Sequence, residues 1–192
     1  MTRALQAVCR HRGWRTLASA LLALCLGGPG VSARDASICT VEQVRVQVLP
    51  FDVAEDFSVP FASLQGEANE VGLVRQTTTV RVDGCSATVG YANPVLYVAS
   101  ELRQDPCAFQ VVFEHESQHV EIYRLALRDL EQRIRAAARQ RPLFDAAVTE
   151  VTAVDAAQSA FDSAAEYRKN VTACRGRIHR LAMHKSLPAS AL

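Results

Sequence analysis

The sequence has no excess of charge of one sign and no long apolar segment. Its 192 residues include 21 basic and 20 acidic residues, for a formal net charge of +1, and the basic residues are spread along the chain. Because a nucleic-acid-binding surface needs clustered positive charge, the sequence predicts no nucleic-acid partner. No apolar run reaches the about 20 residues that a membrane-spanning helix needs, so we expect no stable membrane insertion.

The first 33 residues have the pattern of a secretory signal peptide. Basic residues precede a short apolar run from Leu17 to Leu26, and small residues follow up to Ala33. We expect cleavage after Ala33 and a periplasmic or secreted location for the mature chain. An uncleaved membrane anchor is the alternative, but the apolar run is too short for it. Residues 34–192 are long enough for a single domain with a hydrophobic core.

Cysteine pairs of the CxxC type are also absent. Removal of the predicted signal peptide leaves four cysteines, which are Cys39, Cys85, Cys107 and Cys174. An even number of cysteines in an exported chain indicates two disulfides. A four-cysteine zinc site is the alternative, but such sites usually contain closely spaced cysteine pairs.

The front half of the mature chain has the pattern of strands and the back half that of helices. Residues 44–48 alternate apolar and polar side chains, and residues 74–82 are rich in β-branched residues and end at the turn signal Asp83-Gly84. Residues 105–139 and 143–172 have helical periodicity, and their short connection favours antiparallel packing.

The sequence therefore predicts a single α+β domain. In it, a small antiparallel sheet from residues 34–104 packs on a long antiparallel helical hairpin formed by residues 105–175. Residues 176–192 would form a C-terminal tail with a short helical piece.

The first predicted helix contains His115-Glu116-Ser117-Gln118-His119, which matches the pattern HExxH. Histidines four residues apart lie one turn apart on the same helix face, so both can bind one metal ion. Zinc lowers the pKa of a bound water to about 7, and the glutamate beside the first histidine can take the proton. The alternative is an ordinary amphipathic helix with two core histidines and a solvent-exposed Glu116.

The turn of the predicted hairpin at residues 140–141 determines which cysteines face each other. It places Cys107 opposite Cys174, where a disulfide could form. The remaining pair, Cys39 and Cys85, would join the start of the first strand to the end of the Asp83-Gly84 turn.

The same register supplies a third metal ligand. It places Glu166 opposite His115 and Asp162 opposite His119. A catalytic zinc ion needs a third protein ligand, and carboxylates serve as such ligands. We favour Glu166 as the third ligand and keep Asp162 as the alternative.

The segment HESQH resembles the zinc-binding helix of the zincin metallopeptidases. The longer segment FEHESQHVEIYRLALRDLE looks like a family of exported bacterial proteins of unknown function that are predicted to be zinc-dependent proteases. The resemblance implies that His115 and His119 bind zinc and that Glu116 is the general base. The metzincin extension with a glycine and a third histidine is absent, so an acidic third ligand, as in gluzincins or aspzincins, is the closer analogy.

These observations give one leading hypothesis and two alternatives. The leading hypothesis is an exported zinc peptidase that acts on a peptide or protein substrate, with the segment VLYVASE as a strand edge for an extended peptide. The first alternative is a non-catalytic periplasmic metal-binding or envelope-assembly domain. The second is a di-iron site, because Glu116-x-x-His119 also matches the ExxH pattern of four-helix bundles, which would require a dimer here.

Overall fold

The computed structural model of the chain describes residues 3–7, 39–64 and 70–184. Most of the predicted signal peptide, with its expected cleavage site after Ala33, lies outside the described residues. The exception is Arg3–Ala7, whose backbone forms a strand, β1. Signal-peptide cleavage therefore stays a prediction.

The structure is α+β, as expected. The sheet contains β1 and four further strands, which are β2 (Arg45–Val48), β3 (Ala54–Asp56), β4 (Gly72–Asp83) and β5 (Ser86–Val98). β4 and β5 form the predicted hairpin, with Asp83 opposite Ser86 and with Gly84 at the turn in the left-handed region, at φ +55°.

The expectation of a purely antiparallel sheet is wrong. β2 pairs with Ser86–Val89 and β3 with Val95–Tyr97, both parallel to β5. Parallel neighbours require a connection that crosses to another part of the sheet. β2 and β3 lie on one side of β5 and β4 lies on the other, so the chain crosses from one side to the other between β3 and β4. No local turn signal in the sequence marks such a crossing.

The free edge of the sheet also differs from the expected one. The segment VLYVASE is not an edge, because Val95–Tyr97 pair with β3 on one side and with β4 on the other. β1 pairs only with Thr78–Val82 of β4. Among the described residues, Gly72–Thr77 therefore have no strand on the outer side of β4.

The predicted long helical hairpin is wrong, because the back half is divided into shorter helices. In the described part of the chain these are α1 (Pro106–Leu127), α2 (Leu130–Ala137), α3 (Leu143–Thr152), α4 (Val154–Phe161), α5 (Ala164–Thr172) and α6 (Arg177–His184). The expected start of α1 is confirmed: the side chain of Asp105 accepts a hydrogen bond from the N–H of Ala108, and Pro106 occupies the first turn.

The break between α1 and α2 has a local cause. Asp129 adopts a left-handed conformation, at φ 57°, which ends the helical hydrogen bonding. Arg133 then donates to the carbonyls of Ala126 and Arg128, both at 2.7 Å, and forms an ion pair with Glu150 on α3 at 3.1 Å. One side chain thus satisfies carbonyls at the end of α1 and holds α3 against α2.

Helix α1 packs on β4 and β5 and takes part in two groups of buried apolar side chains. Tyr123, near its end, packs in one group with Tyr91 and Ile134, and Val112 packs in the other with Leu102. The hydroxyl of Tyr91 donates to the carbonyl of Val151 at 2.7 Å, which joins the sheet to α3. The helix that carries the HExxH motif is therefore held from several sides.

Both predicted disulfides are confirmed. Cys39–Cys85 joins the segment before β2 to the β4–β5 turn, and Cys107–Cys174 joins the first turn of α1 to the segment after α5. Disulfides persist in oxidising compartments and are rare in the cytosol, so they fit a location outside the cytoplasm. None of the described helices combines the length and apolar character needed to cross a bilayer.

Candidate metal centre

The two histidines of the HExxH motif lie where α1 contacts α4. Glu116 is on the buried face of α1, and the imidazoles on either side of it in the sequence point across to the end of α4. The Nε2 atoms of His115 and His119 are 3.3 Å apart. The side chains of His115 and His119 are only 9% and 12% exposed.

Asp162 completes this group. Its Oδ1 atom lies 3.0 Å from Nε2 of His119 and 3.4 Å from Nε2 of His115. The three ligand atoms lie within 4.8 Å of one another, which is compact enough to hold a metal ion. Two imidazole nitrogens and one carboxylate oxygen are a donor set that fits a catalytic zinc ion. The side chain of Asp162 is 34% exposed, so the group is reached from solvent on the Asp162 side.

Glu166, the preferred third ligand in the sequence analysis, does not belong to this group. Its carboxylate instead forms an ion pair with Lys169. The reason is a break in the helix: α4 ends at Phe161, and Asp162 and Ser163 leave the helical conformation before Ser163 caps α5. The predicted spacing of one helical turn between Asp162 and Glu166 is therefore lost, and the carboxylate at the site is that of Asp162.

Gln158 contacts the site directly, although the sequence did not indicate a role for it. Gln158 is 2% exposed and lies one helical turn before Asp162. Its side-chain oxygen bonds Nδ1 of His119, and its side-chain nitrogen donates to the backbone carbonyl of His119 at 3.1 Å. The one available signal was its spacing of four residues from Asp162 in a helical segment.

Phe161 was also missed, and it packs against both imidazoles. Its ring stacks on His115, with centroids 4.9 Å apart and an interplanar angle of 28°. It meets His119 nearly edge-on, at 5.0 Å and 82°. Such contacts restrict rotation of both imidazoles and leave their Nε2 atoms facing Asp162.

Asp162 and His119 form a strong charge pair in the absence of a metal ion. Burial by itself raises the pKa of Asp162, but hydrogen bonds from His115 and His119 hold it well below the usual range. Burial by itself lowers the pKa of His119, but its bond with Asp162 and the negative charge of Glu116 raise that pKa to about 9. A bound dication would take the place of the proton on His119.

Glu116 is buried between α1 and the first residue of β4. The alternative interpretation, with Glu116 in solvent, does not hold, because Glu116 is only 5% exposed. A Cβ atom on Gly72 would lie 2.8 Å from Cγ and from Oε1 of Glu116, and 2.6 Å from Cγ1 of Val112. Glycine is therefore needed for this close approach of strand and helix.

Burial also changes the acidity of Glu116. It raises the pKa of this carboxyl to about 8, against the lowering effect of the positive charge of His119. The negative charges of Glu70 and Asp162 raise it further. Glu116 can therefore gain or lose a proton near neutral pH.

No family model, no curated protein and no solved structure matches this chain. The zincin resemblance of the HExxH segment is therefore neither supported nor contradicted by these comparisons.

The two candidate third ligands can be distinguished by matched substitutions. Loss of a residue that only supports a metal ligand typically weakens metal binding by about 10–100-fold. Because Asp162→Ala removes a ligand atom itself, we expect it to lower zinc affinity by more than that. Glu166→Ala is the control and should bind zinc as the wild type does. Competition titration with a chromophoric chelator measures both. Loss of affinity in Glu166→Ala but not in Asp162→Ala would contradict the assignment.

Zinc binding should depend on pH because it displaces the proton of His119. The pKa of metal-free His119 is about 9, so below that pH the metal must compete with a proton. We expect affinity to fall by at least about tenfold per unit as the pH is lowered from 8 to 6. Calorimetry in buffers of different ionisation enthalpy counts the released protons. Binding at pH 7 without proton release would contradict this account.

Proposed function

We propose that the protein is an exported zinc-dependent peptidase that hydrolyses peptide bonds with Glu116 as the general base. The observation that carries this proposal is the convergence of His115, His119 and Asp162 on one point, with the buried carboxylate of Glu116 beside it in the sequence. Metal-assisted hydrolysis needs a set of metal ligands and a residue that can accept and donate a proton, and Glu116 would be that residue.

The donor set favours zinc over the hard cations. Magnesium and calcium prefer ligand sets made of oxygen atoms, whereas imidazole suits zinc and other transition metals. Two histidines and one carboxylate also serve non-haem iron. Glu116 favours a zinc site for hydrolysis over a non-haem iron site, because a buried carboxylate with a pKa of about 8 is suited to proton transfer near neutral pH.

The site also favours a catalytic over a purely structural metal. Structural zinc sites have four protein ligands, whereas catalytic sites have three and leave a position for water or substrate. The group found among the described residues has three members, and Asp162 is partly exposed to solvent. This argues against the alternative of a non-catalytic metal-binding or envelope-assembly domain.

A di-iron site receives less support. It would require Glu116 to serve as a metal ligand together with His119. The metal-ligand group does not include Glu116, whose Oε1 atom instead lies against Gly72 at the start of β4. The ExxH spacing is therefore better explained by the HExxH pattern that contains it.

The chemistry assigned to the chain's own residues is proton transfer. A bound zinc ion would polarise the substrate carbonyl and acidify the attacking water. Glu116 would accept a proton from that water and deliver it to the leaving amine. The buried surroundings of Glu116 strengthen its interaction with the charges that develop during the reaction.

An extended peptide could bind at the outer edge of β4. Strand addition supplies backbone hydrogen bonds without regard to side-chain identity. The edge at Gly72–Thr77 has no strand partner among the described residues, and it begins where Gly72 contacts Glu116. A peptide bound along this edge would pass the general base at its Gly72 end. This edge replaces the VLYVASE segment as the proposed peptide-binding strand.

The activity test compares two glutamates on the same helix. We expect Glu116→Gln to keep zinc and fold but to lose about 10²–10⁴-fold in peptidase rate, because an amide cannot accept the proton. Glu114→Gln, at an exposed position two residues earlier, should retain full activity. Cleavage of a mixed peptide library by the zinc-loaded protein, followed by mass spectrometry, gives the rates.

Two results would count against the proposal. If Glu116→Gln cleaves as fast as the wild type, the general base is wrong. If the zinc-loaded wild type cleaves no member of the library while it binds zinc tightly, the non-catalytic metal-binding alternative is favoured.

A further inference from the structure

The side chain of Gln158 binds a single residue at both ends of its amide. Its oxygen bonds Nδ1 of His119, and its nitrogen donates to the backbone carbonyl of the same histidine at 3.1 Å. Gln158 lies on α4 and His119 on α1, and the two are 39 positions apart in the chain. The pair of bonds therefore connects the two helices at the metal centre.

This arrangement requires that Nδ1 of His119 carries hydrogen, whether the ring is neutral or protonated. A backbone carbonyl can only accept a hydrogen bond, so the amide nitrogen of Gln158 must face it. The amide oxygen then faces Nδ1, and since an oxygen of this kind can only accept, Nδ1 must donate. With its hydrogen on Nδ1, the ring presents Nε2 to Asp162 and His115, at 3.0 Å and 3.3 Å.

Packing alone does not account for a glutamine at this position. A buried amide costs free energy unless its donors and acceptor are paired. The neighbouring buried positions Val151 and Val154 are apolar. At Gln158, by contrast, a polar side chain is buried to 2% exposure and both of its polar atoms are directed at one histidine.

One turn of α4 thus contacts His119 on several sides. Gln158 binds its Nδ1 edge, Phe161 meets its ring edge-on, and Asp162 faces its Nε2 atom. Asp162 would be a ligand of the metal, whereas both polar atoms of Gln158 are bonded to Nδ1 and to the carbonyl of His119. Its effect would pass through His119.

We propose that Gln158 is a positioning residue of the metal centre, which fixes the ring orientation and the Nδ1–H tautomer of His119 so that Nε2 faces the metal. The zinc part of this inference rests on the proposed function. The ring orientation and the hydrogen bond from Nδ1–H to Gln158 can be tested without any metal. Partners of this kind, which orient a ligand from outside the ligand set, typically change metal affinity or activity by 10–100-fold when they are removed.

The test uses two substitutions of Gln158 and one control on the same helix. Gln158→Leu removes both hydrogen bonds, and we expect about 10–100-fold weaker zinc binding together with loss of an exchange-protected Nδ1–H signal of His119 in proton NMR. Gln158→Glu keeps an oxygen that can accept from Nδ1 but cannot donate to the carbonyl of His119, so we expect it to retain the signal and to lose less affinity than Gln158→Leu. Val154→Ala removes buried apolar contacts of α4 and should leave the zinc affinity of the folded protein unchanged.

The outcomes separate positioning from plain stabilisation. If Gln158→Leu keeps both the Nδ1–H signal and the affinity, or if Gln158→Glu and Val154→Ala lose as much affinity as Gln158→Leu, the positioning role is wrong. If the wild type binds no zinc, the proposed function fails. The Nδ1–H signal in the metal-free variants then still decides whether Gln158 holds the Nδ1–H edge of His119.

Discussion

Burial of polar groups at the contact between α1 and α4 is the constraint on which the site depends. Gln158 is almost fully buried there, and the side chain of His119 is 12% exposed. Each such group costs free energy when it is buried alone, and the cost is largest for a charge. Here Gln158 and Asp162 pair with His119, and the pairing requires α4 to lie across α1 at one register. The contacts that offset the cost of burying these groups therefore also set the positions of the metal ligands.

Much of the fold follows from local sequence signals. The start of α1 at Asp105 and Pro106 depends on capping chemistry within one helical turn, and the β4–β5 hairpin depends on Asp83-Gly84. The HExxH spacing likewise places His115 and His119 on one face through helix geometry alone. The disulfide between Cys107 and Cys174 was found from an antiparallel register, and it holds although the helices between its cysteines are interrupted. Apart from this disulfide, these predicted features depend on a few consecutive residues.

What could not be predicted depends on tertiary contacts. The periodicity of residues 143–172 continues through Asp162 and Ser163, yet the chain leaves the helix there, and this break makes Asp162 and not Glu166 the carboxylate at the site. The parallel pairing of β2 and β3 with β5 needs a long crossing connection that leaves no local signature. A glutamine in a helix has no distinctive pattern either, so the role of Gln158 became visible only when its amide was found against His119.

The parts of the site are supplied by elements that different interactions hold in place. The sheet places Gly72 against Glu116, α1 supplies the histidines, and the end of α4 supplies Asp162.

The most direct test of this account is X-ray absorption spectroscopy at the zinc edge on the zinc-loaded protein. The account predicts two imidazole nitrogens at about 2.0–2.1 Å and a carboxylate oxygen at about 2.0–2.2 Å. A sulfur shell at about 2.3 Å, or a spectrum with fewer than two imidazole ligands, would contradict it.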